Sequence, residues 1–151
     1  MDAAAISWLV GMAALVVSAI WHAFNHVAVR KAMEDALATD HPATARDDIR
    51  DTVSIIMIGN AVAALVILVL AVIGIIRVRD RIASGRTLVT LAGLLAVAVS
   101  IQFWIVTDAA HHVVGGVIAT LPLVTAVSAA VGTGLLYASA VGMWLKSGPR
   151  R

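Results

Sequence analysis

Val53-Ser54-Ile55-Ile56-Met57-Ile58-Gly59-Asn60-Ala61-Val62-Ala63-Ala64-Leu65-Val66-Ile67-Leu68-Val69-Leu70-Ala71-Val72-Ile73-Gly74-Ile75-Ile76 runs without a charged side chain and ends against Arg77-Val78-Arg79-Asp80-Arg81. As an α-helix it would be about 36 Å long, enough to cross a hydrocarbon core of about 30 Å. This stretch makes the chain an integral membrane protein. Three further apolar runs complete the pattern, giving spans over about 5–29, 53–76, 87–108 and 117–145. The fold class expected is all-α, an integral membrane four-helix bundle running up-down-up-down, with the whole of 1–151 as one transmembrane domain.

The composition agrees. Of 151 residues, 61% are hydrophobic and 13% charged, and the mean hydropathy is +0.97. A soluble domain carries about 25% charged residues, and here the charges are confined to the connections. The absence of Cys excludes disulfides, thiolate metal sites and dithiol chemistry. The first run lacks a Lys/Arg cluster before it and is longer than a signal-peptide core, so it reads as an uncleaved first span. A sequence pI of 9.7 comes from short basic connections, and no soluble basic face is left to bind nucleic acid. The Ala/Val/Arg-rich style suggests a bacterial source with GC-rich coding.

Each span has a face of small and polar residues, which lets helices approach closely in lipid. In the first it is Ser7, Gly11, Ala14, Ser18, His22 and Asn25; in the second, Asn60, Ala63, Ile67, Ala71 and Gly74. Gly93, Ser100 and Thr107 share one face of the third, with Gln102 pointing elsewhere. Thr125, Ser128, Gly132, Ser139 and Gly142 mark the fourth, where Pro122 kinks the helix or marks its start. The first helix is expected to continue unbroken through Arg30 to Leu37 and to break at Thr39-Asp40-His41-Pro42. The second then starts with Asp40 or Thr39 as cap, or at Thr44 with Asp47 as a partial capping box. Residues 30–52 thus form an outer polar helical hairpin. The third helix is expected to run to about Val113 and turn at Gly115-Gly116.

Orientation follows from the connections. The basic loop 77–86 and the tail with Lys146, Arg150 and Arg151 carry seven basic residues, against four in the acidic connection 30–51. The positive-inside rule puts both termini in the cytoplasm, in a plasma (inner) membrane. Trp8 and Trp144 then fall at the inner interface, and Trp21 and Trp104 at the outer one.

On this orientation His22, His26, His41, His111 and His112 gather at the outer leaflet with Asp108. His22 and His26 are spaced i, i+4, as are Asp108 and His112, a pattern of imidazole and carboxylate that suits a divalent transition metal. His26, Asp108 and His111 or His112 could share one ion, with His22 one turn deeper, level with Asn60, which could orient its second nitrogen. The ordinary alternative is a set of interfacial histidines bonded to backbone, water or headgroups. A bis-histidine haem b is a weaker candidate, because His111 and His112 are too exposed for a buried macrocycle. A pH-sensing histidine cluster is a further one.

No Asp, Glu, Lys or Arg lies in mid-span, which lowers the case for an ion-coupled carrier or channel. The sequence reads as a non-catalytic accessory or scaffold subunit that packs in the bilayer with a membrane-protein partner or with itself. A metal- or haem-binding outer face is the alternative, and a small channel or carrier comes third. Elemental analysis with a visible absorption spectrum separates the first two: the scaffold is expected to purify colourless and free of Zn and Cu.

Overall fold

The computed structural model describes residues 2–80, 82–110, 113 and 115–137. Its order is α1 (Asp2–Phe24), α2 (His26–Asp40), α3 (Arg46–Arg79) and α4 (Ala83–Val106), then a 3-10 turn at Asp108–Ala110, a helical turn at Gly116–Ala119, and α5 (Leu121–Leu135). Four segments are long and apolar enough to cross a membrane: Ala3–Phe24, Arg46–Arg79, Ser84–Val106 and Gly116–Leu135. The described chain is therefore an all-helical protein of multi-pass membrane type. Helices are what these runs must form in lipid, where every backbone polar group needs a partner within its own segment.

The side-chain distribution is that of a bundle in lipid. Its centre is built from alanines, with Ala71 and Ala92 at 0% exposure and Ala96 and Ala129 at 1%. The large aliphatics point outward, with Ile58, Leu65, Leu94, Ile105 and Val127 all above 60% exposed. Lipid is as apolar as Leu, so nothing drives these side chains inward, and small residues let the helices close by van der Waals contact.

Each well-packed pair of helices meets over a glycine. A Cβ on Gly74 of α3 would lie 2.6 Å from Val89 Cγ2 on α4. Gly93 of α4 faces Thr133 of α5 in the same way. A Cβ on Gly132 of α5 would lie 2.6 Å from Trp8 Cδ1, and one on Gly11 of α1 would lie 3.1 Å from Ser128 Cβ. Hydrogen bonds reinforce the α1–α5 seam: Ser7 Oγ donates to the Ser128 carbonyl at 2.8 Å, and Thr125 Oγ1 to the Gly11 carbonyl at 3.3 Å. The chain thus closes as α3–α4–α5–α1, while α1 and α3 make little contact with one another. Gly59, on α3, has nothing within 4 Å of the position a Cβ would take.

Arg77, Arg79 and Asp80 close α3, and Gly85 lets α4 start close to the Val78 backbone. Near this basic end Arg86 lies over the Tyr137 ring at 4.0 Å, and Thr90 Oγ1 and Tyr137 Oη are 2.8 Å apart. Away from it, α2 folds back on the start of α3. Val29, Met33 and Val53 are buried between them, together with Ala110 of the 3-10 turn. Arg30 pairs with Glu34 at 2.7 Å and reaches Ser54 of α3 at 3.0 Å.

Several expectations need correction. The first helix does not run unbroken to Leu37. It stops at Phe24, and Asn25 adopts φ −103°, ψ 15° before α2 begins. The Asn25 N–H (3.1 Å) and its Nδ2 (2.9 Å) both donate to the Trp21 carbonyl, and the Val29 N–H donates to the Asn25 carbonyl at 2.9 Å. The break is therefore a local departure of the Asn25 backbone angles at a residue of low helix propensity. The third helix stops at Val106, seven residues short of Val113. Thr107 N–H (2.9 Å) and Thr107 Oγ1 (2.7 Å) share the Phe103 carbonyl. At the start of α3 neither Asp40, Thr39 nor Thr44 caps the helix. Its N-cap is Ala45, without a side-chain bond, because the His41–Thr44 turn takes the Thr44 N–H and delays the start to Arg46. Trp8 is not an interfacial belt residue: it is 2% exposed, wedged against Gly132, and its Nε1 has no partner. Trp144, Ser139 and Gly142 lie outside the described residues. Pro122 falls within the first two positions of α5, where its missing N–H costs nothing, so it marks a start and not a kink.

The glycine seams yield a test. Gly132→Ala is expected to destabilise the bundle by about 1–3 kcal/mol through overpacking against Trp8. Gly59→Ala, facing open space, is expected to be neutral or to stabilise by up to about 1 kcal/mol through helix propensity. Thermal unfolding of both variants in detergent checks the contrast.

Candidate functional site

The gap between α1 and α3 is a cavity of about 220 Å3. Its back wall comes from α4 and α5: Val99, Ser100, Phe103, Thr107 beyond the end of α4, Pro122 and Thr125. Most of these are buried. The side walls are Leu15, Ser18, His22 of α1 and Asn60, Ala64 and Met57 of α3, and Val29 and Met33 of α2 close the end under the hairpin. The lining residues Ala19, Ala23, His26 and Ala61 are exposed and belong to α1, α2 and α3. The mouth therefore opens sideways along the α1–α3 seam. Asn60 lies 17 residues from Arg77, about 26 Å along the helix, which puts the cavity toward the end of the bundle away from the basic connection.

Two local breaks shape this space. Asn25 ends α1 just beyond His22, and Thr107 ends α4 just beyond Phe103. His22 and Phe103 meet edge to face across the cavity, with ring centroids 4.8 Å apart. His22 Nδ1 lies 2.7 Å from the Ser18 carbonyl. A carbonyl oxygen only accepts, so Nδ1 carries the proton and, in the neutral ring, Nε2 is left as an acceptor.

The polar lining divides in two. Thr107 and Thr125 donate to backbone carbonyls and are satisfied. Ser18 and Ser100, 5% and 4% exposed, make no hydroxyl hydrogen bond to any described residue, and neither does the Asn60 carboxamide. The fully buried side-chain polar atoms without a partner among the described residues are Trp8 Nε1, Arg86 Nε and Thr133 Oγ1, none of them in this lining. Ser18, Ser100 and the half-buried Asn60 are unpaired but keep surface open to the cavity, where an entering group can bond them. None of the lining residues is Asp, Glu, Lys or Arg. The site offers hydrogen bonds without charge.

The histidine and carboxylate candidates do not converge among the described residues. His22 is in the cavity, His26 is at its mouth with Nδ1 3.0 Å from the Ala23 carbonyl, and Asp108 is exposed in the 3-10 turn. His41 is exposed on the turn after α2. His111 and His112 lie outside the described residues, and with them any distance to His26. Among the described residues no group of three or more His, Cys, Asp or Glu could hold a metal. The expected role of Asn60 in orienting the His22 ring goes instead to the Ser18 carbonyl. For haem b the space is small: a benzene ring fills a cavity of about 150 Å3, and 220 Å3 is far less than a macrocycle needs.

His22, Asn60, Ser18, Ser100, Thr107 and Thr125 were all visible in the sequence as members of small-and-polar stripes. Phe103, Met33 and Met57 were not, because an apolar side chain carries no mark of which gap it borders. Compared with protein-family models, with curated proteins and with solved structures, the chain matches none.

The kink at Asn25 sets where His22 and His26 stand relative to the mouth. Asn25→Ala raises the helix propensity at the break and is expected to straighten the α1–α2 junction. Spin labels on Val17→Cys and Lys31→Cys, the sole cysteines in a Cys-free chain, should then move apart, toward the about 21 Å of a continuous helix.

Proposed function

We propose that this chain is a non-catalytic multi-pass membrane protein whose working element is the lipid-facing cleft between α1 and α3, which holds a second component of the membrane. The observation that carries this is the asymmetry of the bundle. The other seams close over glycine, whereas the α1–α3 seam stands open beside four polar side chains with hydrogen-bonding capacity to spare. The accessory-subunit role expected from the sequence takes this form: the protein packs with something through that seam.

In this reading the four spans cross up-down-up-down with the basic connection and both termini in the cytoplasm, which follows from the charge asymmetry. α3, at 34 residues and about 51 Å, exceeds the hydrocarbon core by some 20 Å. Its charged first turns, with α2, then stand outside as the acidic hairpin, and the cleft opens in the outer leaflet beneath it.

A component that binds the folded state stabilises it by mass action, by about 2.7 kcal/mol at a hundredfold excess over Kd. Wild-type protein in bilayer nanodiscs should therefore lose thermal stability when transferred to delipidating detergent. Ala64→Leu, which fills part of the cleft, should lose much less. Equal losses in both proteins would mean that nothing occupies the cleft.

A further inference from the structure

Resting on that reading, we infer that the cleft is a binding site for one uncharged, long-chain molecule with a hydroxyl head, taken from the surrounding lipid and held by His22 and Asn60. Long-chain alcohols, acylglycerols and hydroquinones share this chemistry.

Access comes first. The exposed lining residues Ala19, Ala23 and Ala61, with His26 at the end toward α2, form the mouth, and the alanine part lies in the apolar stretch of α1 and α3, where a ligand can arrive from lipid. The head is neutral because no Asp, Glu, Lys or Arg lines the cavity to compensate a phosphate, carboxylate or ammonium, the ring of His22 already has one nitrogen on the Ser18 carbonyl, and His26 lies out at the rim. An uncompensated charge in this setting is expensive. It is a hydroxyl because of the pattern of free groups. His22 Nδ1 is committed to the Ser18 carbonyl, so in the neutral ring Nε2 offers only a lone pair and needs an O–H or N–H donor. Asn60 supplies the complementary amide, able to donate to the oxygen of the same head. His22 from α1 and Asn60 from α3 line the same cavity.

The remaining space suits a chain. Leu15, Ala64 and Val99 extend the cavity toward the bilayer centre, and Met57 supplies an adaptable thioether beside Asn60. At about 220 Å3 the cavity exceeds the about 150 Å3 that accepts a benzene ring, giving room for the head and the first carbons while the tail leaves by the mouth. Ser18 and Ser100 lie in the same lining, buried and without partners among the described residues, as secondary contacts for a polar head. A transmembrane helix of a partner protein would fill the mouth but would leave these four polar groups unsatisfied unless it brought a hydroxyl to the same point.

The probe for this proposal is a ten-carbon alcohol with a terminal diazirine, photolysed with the full-length protein in phosphatidylcholine nanodiscs and mapped by peptide mass spectrometry. Adducts are expected on α1, α3 and α4 segments that line the cavity. An excess of 1-decanol should reduce them at least fivefold, while decane and decanoate should not. His22→Leu and Asn60→Leu should each reduce labelling at least fivefold, and Gln102→Leu, outside the cavity, should leave it unchanged. Circular dichroism and thermal unfolding confirm that each variant is folded. Should a variant fail to fold, the competition series on wild-type protein alone decides. Equal competition by decane, or undiminished labelling of folded His22→Leu and Asn60→Leu, overturns the hydroxyl site. If Ala64→Leu still abolishes labelling in that case, the cleft remains a lipid-facing pocket without the proposed head recognition. A cavity that 1-decanol does not enter at all overturns both.

Discussion

The bundle hangs on backbone-to-backbone approach at a few glycines. In water a helix pair is held mainly by burying large aliphatic side chains; in lipid that gain disappears, and contact distance decides. Gly74 against Val89, Gly93 against Thr133 and Gly132 against Trp8 bring their helices to a separation that any side chain would prevent. The alanine core, with Ala71, Ala92, Ala96 and Ala129 almost fully buried, is the same requirement repeated between the glycines. Trp8 shows how far this goes: its indole is accepted into the interior, with an unpaired Nε1, because Gly132 leaves the room.

The same requirement explains the open side. No glycine contact joins α1 to α3, and the His22 and Phe103 rings meet edge to face beside the cavity. The breaks at Asn25 and Thr107 then bend the chain away just beyond those rings. In each, a side chain shares the i−4 carbonyl with the backbone N–H, and neither break has Gly or Pro. Beside those rings and helix ends lies a cavity open along the α1–α3 seam, with hydrogen-bonding groups to spare. That combination is what connects the packing of this protein to its proposed role.

Much of the architecture was legible in the residues. The interior stripes Ser7-Gly11-Ala14-Ser18, Ile67-Ala71-Gly74 and Gly93-Ser100-Thr107 are buried or half-buried, and Gln102 is exposed, because helical period and small size are both local properties. The helix ends were less legible. Asn25 and Thr107 carry no breaker signature, and whether such a side chain turns back onto its own helix depends on what surrounds it. The histidines were legible as a group and not as a site: spacing i, i+4 places His22 and His26 on one face, yet one lines the interior of a cavity and the other its rim.

The sequence by itself determined that this is a helical membrane protein, which stripes of small residues face inward, and that no Asp, Glu, Lys or Arg lies in mid-span. Each of these follows from length, period and the cost of charge in hydrocarbon. Only the tertiary structure decided that three seams close and the fourth does not, and that His22, Asn60, Ser18 and Ser100, drawn from three helices, line one space. The reason is physical. Packing in lipid depends on which small residue meets which neighbour, and that pairing is a property of two helices together, absent from either alone.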